Sequence, residues 1–263
     1  MINLFQVDAF TDKQFSGNPA GVCILPKGHQ QTDVWMQSLA EEMNLPETAF
    51  AEEVEGAHYA LRWFTPTTEV KLCGHATLAT AHVLWSEGLI ANSETICFDT
   101  LSGKLKVAYQ DSLISLDFPQ QLSYECKEPI GLEMALGCDI LNTYQAGENL
   151  LIEVKNEETV RNITPYIQQL ELLDAECVIV TAKGNSVDFV SRVFGPNVGI
   201  NEDPVTGSTH CSLAPFWAEK LNKTQMNALQ LSKRGGALQV ELVGDRVSIA
   251  GQATTVFKGE LYE

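Results

Sequence analysis

Two short stretches of this chain repeat each other but differ in the side chains that could do chemistry. Cys73-Gly74-His75-Ala76 reappears later in the chain as Thr206-Gly207-Ser208-Thr209. Cysteine and histidine can release or take up a proton in the accessible pH range, whereas threonine and serine hydroxyls do not titrate there. The two copies therefore predict one repeated scaffold with different chemistry at equivalent positions.

The segments that follow each copy repeat at the same offset, the separation of Gly74 from Gly207. Gly103–Val107 matches Gly236–Val240, and Ile114–Leu116 matches Val247–Ile249. Two long copies, rather than many short ones, predict two related lobes with a cleft between them. We expect the N-terminal lobe to span residues 1–118, joined by 254–263, and the C-terminal lobe to span 119–253.

The segment after each repeated glycine has the composition of a buried helix. His75 to Trp85 contains no acidic residue, lysine or arginine, and a helix that is apolar on every face is buried. Thr209 to Leu221 is similar, although Pro215 should kink that helix or delay its regular start. Short alternating segments around both helices are typical of strands. We therefore expect an α+β fold of two pseudosymmetric lobes, each a mixed β-sheet curled into a barrel around a central helix.

A candidate carboxylate follows an amphipathic helix near the N-terminus. Trp35, Leu39 and Met43 repeat every four residues, which predicts a surface helix over 33–44. Pro46 helps to end that helix, because the residue before a proline is pushed out of the helical region. Glu47 then lies at the start of a strand-like segment.

Both central helices are predicted to start next to a glycine, Gly74 or Gly207. The N-terminus of a helix has unpaired N–H groups and a partial positive charge, so it can bind an anion. We expect a small carboxylate substrate to bind there, with Ser208 and Thr209 beside Gly207. The alternative is that the two glycines only permit tight packing of helix on sheet.

Four motifs, in order along the chain, resemble the PhzF family of phenazine biosynthesis-like isomerases. They are Gln6–Val22, Pro46–Phe50, Leu72–Thr77 and Asn201–His210. The PhzF family is similar in fold to diaminopimelate epimerase, in which each of two lobes supplies a catalytic cysteine. The resemblance implies that Glu47 is the catalytic acid/base and that His75 and Asp203 are further catalytic residues. It also suggests a homodimer.

Each of these three residues has a structural alternative. Glu47 could be a solvated residue at a helix end, His75 a core histidine, and Asp203 a turn residue before Pro204. The family pattern nevertheless favours an active-site role for all three.

The second copy of the motif argues against an epimerase that uses two cysteines. Epimerisation needs one group to remove the proton and another to return it on the opposite face, and Thr206 stands where the second cysteine would be. Cys73 is then expected to be a small buried residue, and any catalytic role for it stays open. We expect a cofactor-independent isomerase that moves a proton within a small carboxylic acid. The alternatives are a small-acid binding protein on the same fold, or an epimerase or racemase.

Composition excludes some classes of binding partner and indicates the cellular compartment. A net charge of −17 argues against nucleic acid and against an anionic membrane surface. The N-terminus lacks the features of a signal peptide, and no apolar run is long enough to span a membrane. The seven cysteines include no C-x-x-C pair, so we expect reduced cytoplasmic thiols.

No resident metal or nucleotide cofactor is expected. His75 and His82 are two helical turns apart, which is too far for shared metal ligation, and the glycines near the N-terminus lack dinucleotide-binding spacing.

Overall fold

The structure, a computed structural model, describes residues 2–262. The chain divides into two compact units. Unit 1 contains the residues up to Asp117 together with those from Ala250 onward, and unit 2 contains Phe118–Ile249. Both units consist mainly of mixed β-sheet with a few helices, so the predicted α+β class is confirmed. Across residues 2–262, no helix combines the length and the apolar character needed to cross a bilayer.

Unit 1 is a mixed sheet that carries two helices. Its elements are β1 (Ile2–Ala9), β2 (Asn18–Leu25), α1 (Asp33–Met43), β3 (Glu47–Glu55), β4 (His58–Phe64), β5 (Glu69–Val70), α2 (Gly74–Ser86), β6 (Ile96–Thr100), β7 (Gly103–Gln110), β8 (Leu113–Pro119) and β18 (Ala253–Leu261). The strands pair in the order β18-β1-β2-β3-β4-β6-β7-β8, with β5 on β4. The β2–β3 and β4–β6 pairs are parallel. Parallel neighbours need a crossover connection, and α1 and α2 lie in these two connections.

Unit 2 repeats this strand pattern. Its elements are β9 (Tyr124–Glu125), α3 (Leu132–Leu136), β10 (Asn142–Ala146), β11 (Asn149–Glu153), α4 (Glu157–Asn162), α5 (Ile167–Leu170), β12 (Val178–Lys183), β13 (Phe189–Gly195), β14 (Ile200–Asp203), α6 (His210–Leu221), β15 (Gln225–Gln230), β16 (Gly236–Val243) and β17 (Arg246–Gly251). The order β10-β11-β12-β13-β15-β16 has parallel pairs at β11–β12 and β13–β15. The succession of antiparallel and parallel pairs is therefore the same in both units.

The two sheets are open, which corrects the prediction of barrels. Within residues 2–262, β8 does not pair with β18, and β9 does not pair with β16. In unit 2, β9 has only two residues, which leaves little edge for a further strand. Curling of each sheet about its long helix stays a prediction.

Helix α2 is buried along nearly its whole length, as its composition predicts. All of its residues except His82 and Ser86 are buried, and it packs against β1, β2, β3 and β18. The hydroxyls of Thr77 and Thr80 donate to the carbonyls of Cys73 and Ala76, so these polar side chains are satisfied within the helix.

Helix α6 starts later than its repeat partner. The repeat predicts a start next to Gly207, but the regular helix begins at His210, after a tight turn closed by a bond from the His210 N–H to the Gly207 carbonyl. Pro215 lies inside α6 and has no N–H, so the Cys211 carbonyl, four residues earlier, accepts from the Gln121 N–H at 2.9 Å instead. The regular helix thus starts late, although Pro215 lies in its interior and not at its start.

A bidentate ion pair occurs at equivalent places in both units. Arg62 Nε and Nη2 lie 2.7 and 2.8 Å from the carboxylate of Glu69, and the same atoms of Arg192 lie 2.6 and 3.0 Å from Glu202. Glu69 and Glu202 are separated by the offset that relates Gly74 to Gly207. The duplication thus includes a glutamate that pairs with an arginine in each unit, although the residues around the two glutamates are not alike.

His210 in α6 should make unit 2 sensitive to acid. Its side chain is fully buried, and its Nδ1 donates to the Thr206 carbonyl at 2.8 Å. Burial lowers the pKa of His210 from 6.5 to about 4. As the pH falls below 6.5, the unfolded chain therefore takes up a proton before the folded chain does. From this group we expect the free energy of unfolding to fall by about 2 kcal/mol between pH 7 and pH 5.

Urea unfolding at the two pH values measures this effect. His210→Gln keeps an N–H donor for the Thr206 carbonyl but does not titrate, so it should lack this component of the pH dependence. An identical pH dependence in the variant and the wild type would contradict the prediction.

Candidate functional site

Glu47 and His75 meet inside unit 1. Glu47 Oε2 lies 3.1 Å from His75 Nε2, and the two side chains are only 13% and 7% exposed. The contact is not aligned as a hydrogen bond, and within the described chain neither atom has a hydrogen-bond partner. A carboxylate and an imidazole are therefore in close contact and retain unused hydrogen-bonding capacity.

Strand pairing and helix packing position this pair. α1 ends at Met43, where Asn44 takes a left-handed conformation, and Glu47 is the first residue of β3. β3 runs parallel to β2, which aligns Glu47 with Ala20. His75 lies in the first turn of α2, which packs on β2 and β3. The start of a strand and the start of a helix are thus brought to the same place.

The other nitrogen of His75 faces two further residues. His75 Nδ1 lies 3.3 Å from Asn18 Nδ2 and 3.6 Å from Cys73 Sγ. Asn18 is fully buried at the start of β2. Gly17 before it has φ 65°, and a Cβ there would lie 2.2 Å from the Ala9 carbonyl oxygen, so this tight turn requires glycine. Asn18 was not predicted as a site residue, although it stands within one of the four family-like motifs.

The charges of this cluster follow from burial and proximity. Burial of the His75 ring opposes protonation, but the adjacent Cys73 and Glu47 outweigh it and hold the pKa of His75 well above its ordinary value. Burial, and then the Glu47 carboxylate, raise the pKa of the Cys73 thiol, which therefore stays protonated near neutral pH. Because the thiol is neutral, we attribute the charged His75 to Glu47. The cluster is an imidazolium beside a carboxylate, with a neutral thiol next to it.

The N-terminus of α2 adds donors to the same region. Cys73 is the N-cap residue of α2, and its side chain makes no capping hydrogen bond. The first N–H groups of a helix have no acceptor within the helix and carry a partial positive charge. Gly74 and His75 are both buried in this first turn. The turn can therefore bind an anionic group of a small molecule.

The second copy of the motif forms its own hydrogen-bonded cluster in unit 2. Asp203 Oδ2 accepts from Thr206 Oγ1 at 2.5 Å. The fully buried Gln230 accepts from the Thr206 N–H at 2.9 Å, and its Nε2 donates to the Asp203 carbonyl at 2.8 Å and to Thr206 Oγ1 at 3.2 Å. The Thr206 hydroxyl thus both donates and accepts within the cluster, which leaves it unsuited to acid/base chemistry.

The other predicted binding residues of unit 2 form the turn before α6. Gly207 and Thr209 are buried, whereas Ser208 is exposed. The Thr209 hydroxyl donates to the Thr206 carbonyl at 2.9 Å, so it is committed to the turn. Of the hydroxyls in this turn, that of Ser208 is the accessible one.

Gln230 is expected to hold the loop that carries Asp203 and Thr206. In Gln230→Met the Thr206 N–H and the Asp203 carbonyl lose their partner, and we expect the free energy of unfolding to fall by about 2 kcal/mol. The matched control is Gln225→Met, at the exposed end of the same strand β15, which should change stability by less than about 0.5 kcal/mol. Urea unfolding compares the two variants, and equal losses would contradict the role given to Gln230.

Comparisons with known proteins find a matching family model, similar sequences and similar solved structures. A family model described as phenazine biosynthesis-like protein, PhzC-PhzF, matches residues 7–259. An uncharacterized isomerase of Halalkalibacterium halodurans is 48% identical over 261 residues, which cover 98% of this chain and 97% of the relative. The crystal structure of a PhzF-family phenazine biosynthesis protein from Enterococcus faecalis has a TM-score of 0.95 at 47% identity, covering 100% of this chain and 99% of that one. A predicted epimerase from Pseudomonas aeruginosa shares the fold, with a TM-score of 0.77 at 20% identity over 100% of both chains.

Proposed function

Because this chain belongs to the phenazine biosynthesis-like PhzC-PhzF family, we propose that it is an isomerase that moves a proton between two carbons of a small carboxylic acid. Glu47 is its acid/base, and the reaction needs no cofactor. One observation carries the proposal: the Glu47 carboxylate and the His75 imidazole lie 3.1 Å apart, buried, and with unused hydrogen-bonding capacity. A surface carboxylate without a role in chemistry has no need of such surroundings.

A single carboxylate suffices for this reaction. Glu47 accepts a proton from one carbon as the C–H bond breaks, and the electron pair of that bond moves into the unsaturated system of the substrate. The Glu47 carboxyl then returns the proton to another carbon of the same molecule. The His75 side chain, 3.1 Å from Glu47, orients the carboxylate oxygens toward the substrate.

The hydrogen bonds of Thr206 support a one-base isomerase mechanism rather than a two-base epimerase mechanism. A two-base epimerase needs an acid/base at the position equivalent to Cys73, and both hydrogen-bonding roles of the Thr206 hydroxyl are already filled by Asp203 and Gln230. Cys73 itself is a neutral thiol in contact with His75. An epimerase that uses two cysteines is therefore the weaker proposal.

Substrate contacts are proposed for both copies of the motif. The first turn of α2, at Gly74, binds the substrate carboxylate through backbone N–H groups. Gly207, Ser208 and Thr209 are proposed to bind substrate through the turn before α6, and Asp203 to hold an amine or hydroxyl of the substrate. The support for these four is their position in the repeat and in the family-like motif.

Hydrogen exchange in D2O tests the proposal while the substrate is still unidentified. The protein is incubated with a panel of small unsaturated carboxylic acids, and deuterium at carbon is followed by NMR. We expect exchange with at least one acid, and none above background with Glu47→Gln. Acids that protect the protein against thermal unfolding but never exchange would instead indicate a small-acid binding protein.

A cytoplasmic homodimer also belongs to the proposal. All seven cysteines are free thiols, which suits a reducing compartment. Light scattering should give twice the chain mass of 28.9 kDa.

A further inference from the structure

Three different metal-ligand types meet at one place in unit 1. Glu47, Cys73 and His75 each present a donor atom, and the three atoms lie within 4.8 Å of one another. We infer that these residues bind Zn²⁺, and that the bound ion inhibits the enzyme by occupying the Glu47 carboxylate. The inhibition rests on the proposed function, whereas the binding does not. The spacing of the histidines along the chain does not indicate such a site.

The donor distances are near those that zinc requires. Zn²⁺ binds nitrogen and oxygen at about 2.0–2.2 Å and sulfur at about 2.3 Å, so the donors of a tetrahedral site lie roughly 3.3–3.8 Å apart. Glu47 Oε2 is 3.1 Å from His75 Nε2, and Cys73 Sγ is 3.6 Å from His75 Nδ1. Because an ion takes only one nitrogen of the ring, the third donor must move by up to about 1 Å to close the site. If the ion takes Nδ1, the donor that moves is Glu47, whose side chain has several rotatable bonds; if it takes Nε2, the donor that moves is Cys73.

An independent observation points to a ligand here. His75 Nε2 and Glu47 Oε2 are buried, and apart from their 3.1 Å contact with each other neither has a hydrogen-bond partner within residues 2–262. Buried polar atoms in folded proteins nearly always have a partner, so such a pair indicates a site that something else completes. His75 is 6% exposed, so an ion bound at its ring would be shielded from bulk water.

The charge of the donors also suits a divalent ion. Metal binding displaces the protons of the thiol and the imidazolium. The Cys73 thiolate and the Glu47 carboxylate then neutralise the two positive charges of Zn²⁺. Affinity should therefore increase with pH.

The donor set selects among metals. Mg²⁺ and Ca²⁺ prefer six or more oxygen ligands, which a site with a thiol and an imidazole does not offer. Three protein donors also leave one tetrahedral position open, to water or to a carboxylate. Mg²⁺ is therefore the negative probe.

Cobalt(II) makes the binding visible, since a Co²⁺–thiolate bond absorbs in the near ultraviolet. With reduced, chelator-treated protein we expect this band on adding Co²⁺, its loss when Zn²⁺ displaces Co²⁺, and no effect of Mg²⁺. Cys73→Ser should abolish the band, and Cys97→Ser, at a half-buried cysteine of the same unit, should leave it unchanged. His75→Gln should weaken Zn²⁺ binding by more than about 100-fold, since loss of an outer contact alone costs 10- to 100-fold. No band in the wild type, or a band that survives Cys73→Ser, overturns the site.

The inhibition is tested separately on the D2O exchange reaction. We expect Zn²⁺ to stop exchange and EDTA to restore it. Exchange that continues at saturating Zn²⁺ overturns the inhibition. If the metal-free protein shows no exchange with any acid, the proposed function fails instead, and the cobalt band still decides whether the site exists.

Discussion

Replacing Glu47 with glutamine should lower the rate of proton transfer about 100- to 10,000-fold, the range expected for loss of a general acid/base. Glutamine has nearly the shape of glutamate, so the start of β3 and its pairing with β2 are retained. Its amide cannot accept a proton from carbon. The loss should appear in kcat, because the substrate carboxylate is proposed to bind at the first turn of α2 and not at Glu47.

Two further variants distinguish loss of the acid/base group at Glu47 from loss of a negative charge elsewhere and from displacement of the carboxyl group. Glu53→Gln makes the same change at an exposed position of β3 and should leave the rate unchanged. Glu47→Asp keeps an acid but withdraws it by one methylene, so its rate should fall between those of the wild type and Glu47→Gln. Far-UV circular dichroism checks that all three variants are folded. A Glu47→Gln enzyme as fast as Glu53→Gln would contradict the assignment.

Replacing Arg192 with methionine should lower the free energy of unfolding by about 3–5 kcal/mol, the usual result of breaking a buried ion pair from one side. Arg192 is 11% exposed at its side chain and binds both oxygens of Glu202. Its Nη1 also donates to the carbonyls of Val160, Arg161 and Ile163, the closest at 2.7 Å. Methionine fills part of the volume but leaves all these acceptors without their donor.

The control for Arg192 lies on the same unit. The Arg161 side chain is 55% exposed and pairs with Glu157 one helical turn away, so Arg161→Met should cost less than about 1 kcal/mol. Adding Glu202→Gln to Arg192→Met should recover part of the loss, because it removes the unpaired carboxylate. Urea unfolding measures all of these. Equal losses in Arg192→Met and Arg161→Met would contradict the weight given to this ion pair.

The architecture could be predicted where the sequence repeats itself. Two stretches related by one constant offset imply two similar units, and the strand pairing of both units follows one pattern. The burial of helix α2 could be predicted from its lack of charged residues. Whether the sheets close could not be predicted in this way, because the pairing of end strands depends on contacts that no sequence periodicity records.

The candidate site was predictable only in part, because its contacts are distant along the chain. Glu47 and His75 belong to different elements, β3 and α2, and only the family resemblance brought them together. Asn18 reaches His75 across 57 residues, and Gln230 reaches Thr206 across 24. Gln230 ends an ordinary-looking strand, so nothing local marked it. Their roles became visible only with the fold.

The most direct test of a one-base isomerase is the fate of the migrating hydrogen in a single turnover in D2O, with whichever acid reacts. If Glu47 both removes and returns the proton, part of the substrate hydrogen should reappear at the new carbon, on one face, and this transfer should vanish in Glu47→Gln. The contrary result is solvent deuterium at the original carbon with inverted configuration, persisting in Glu47→Gln and lost in Cys73→Ser. That outcome would assign the chemistry to the thiol.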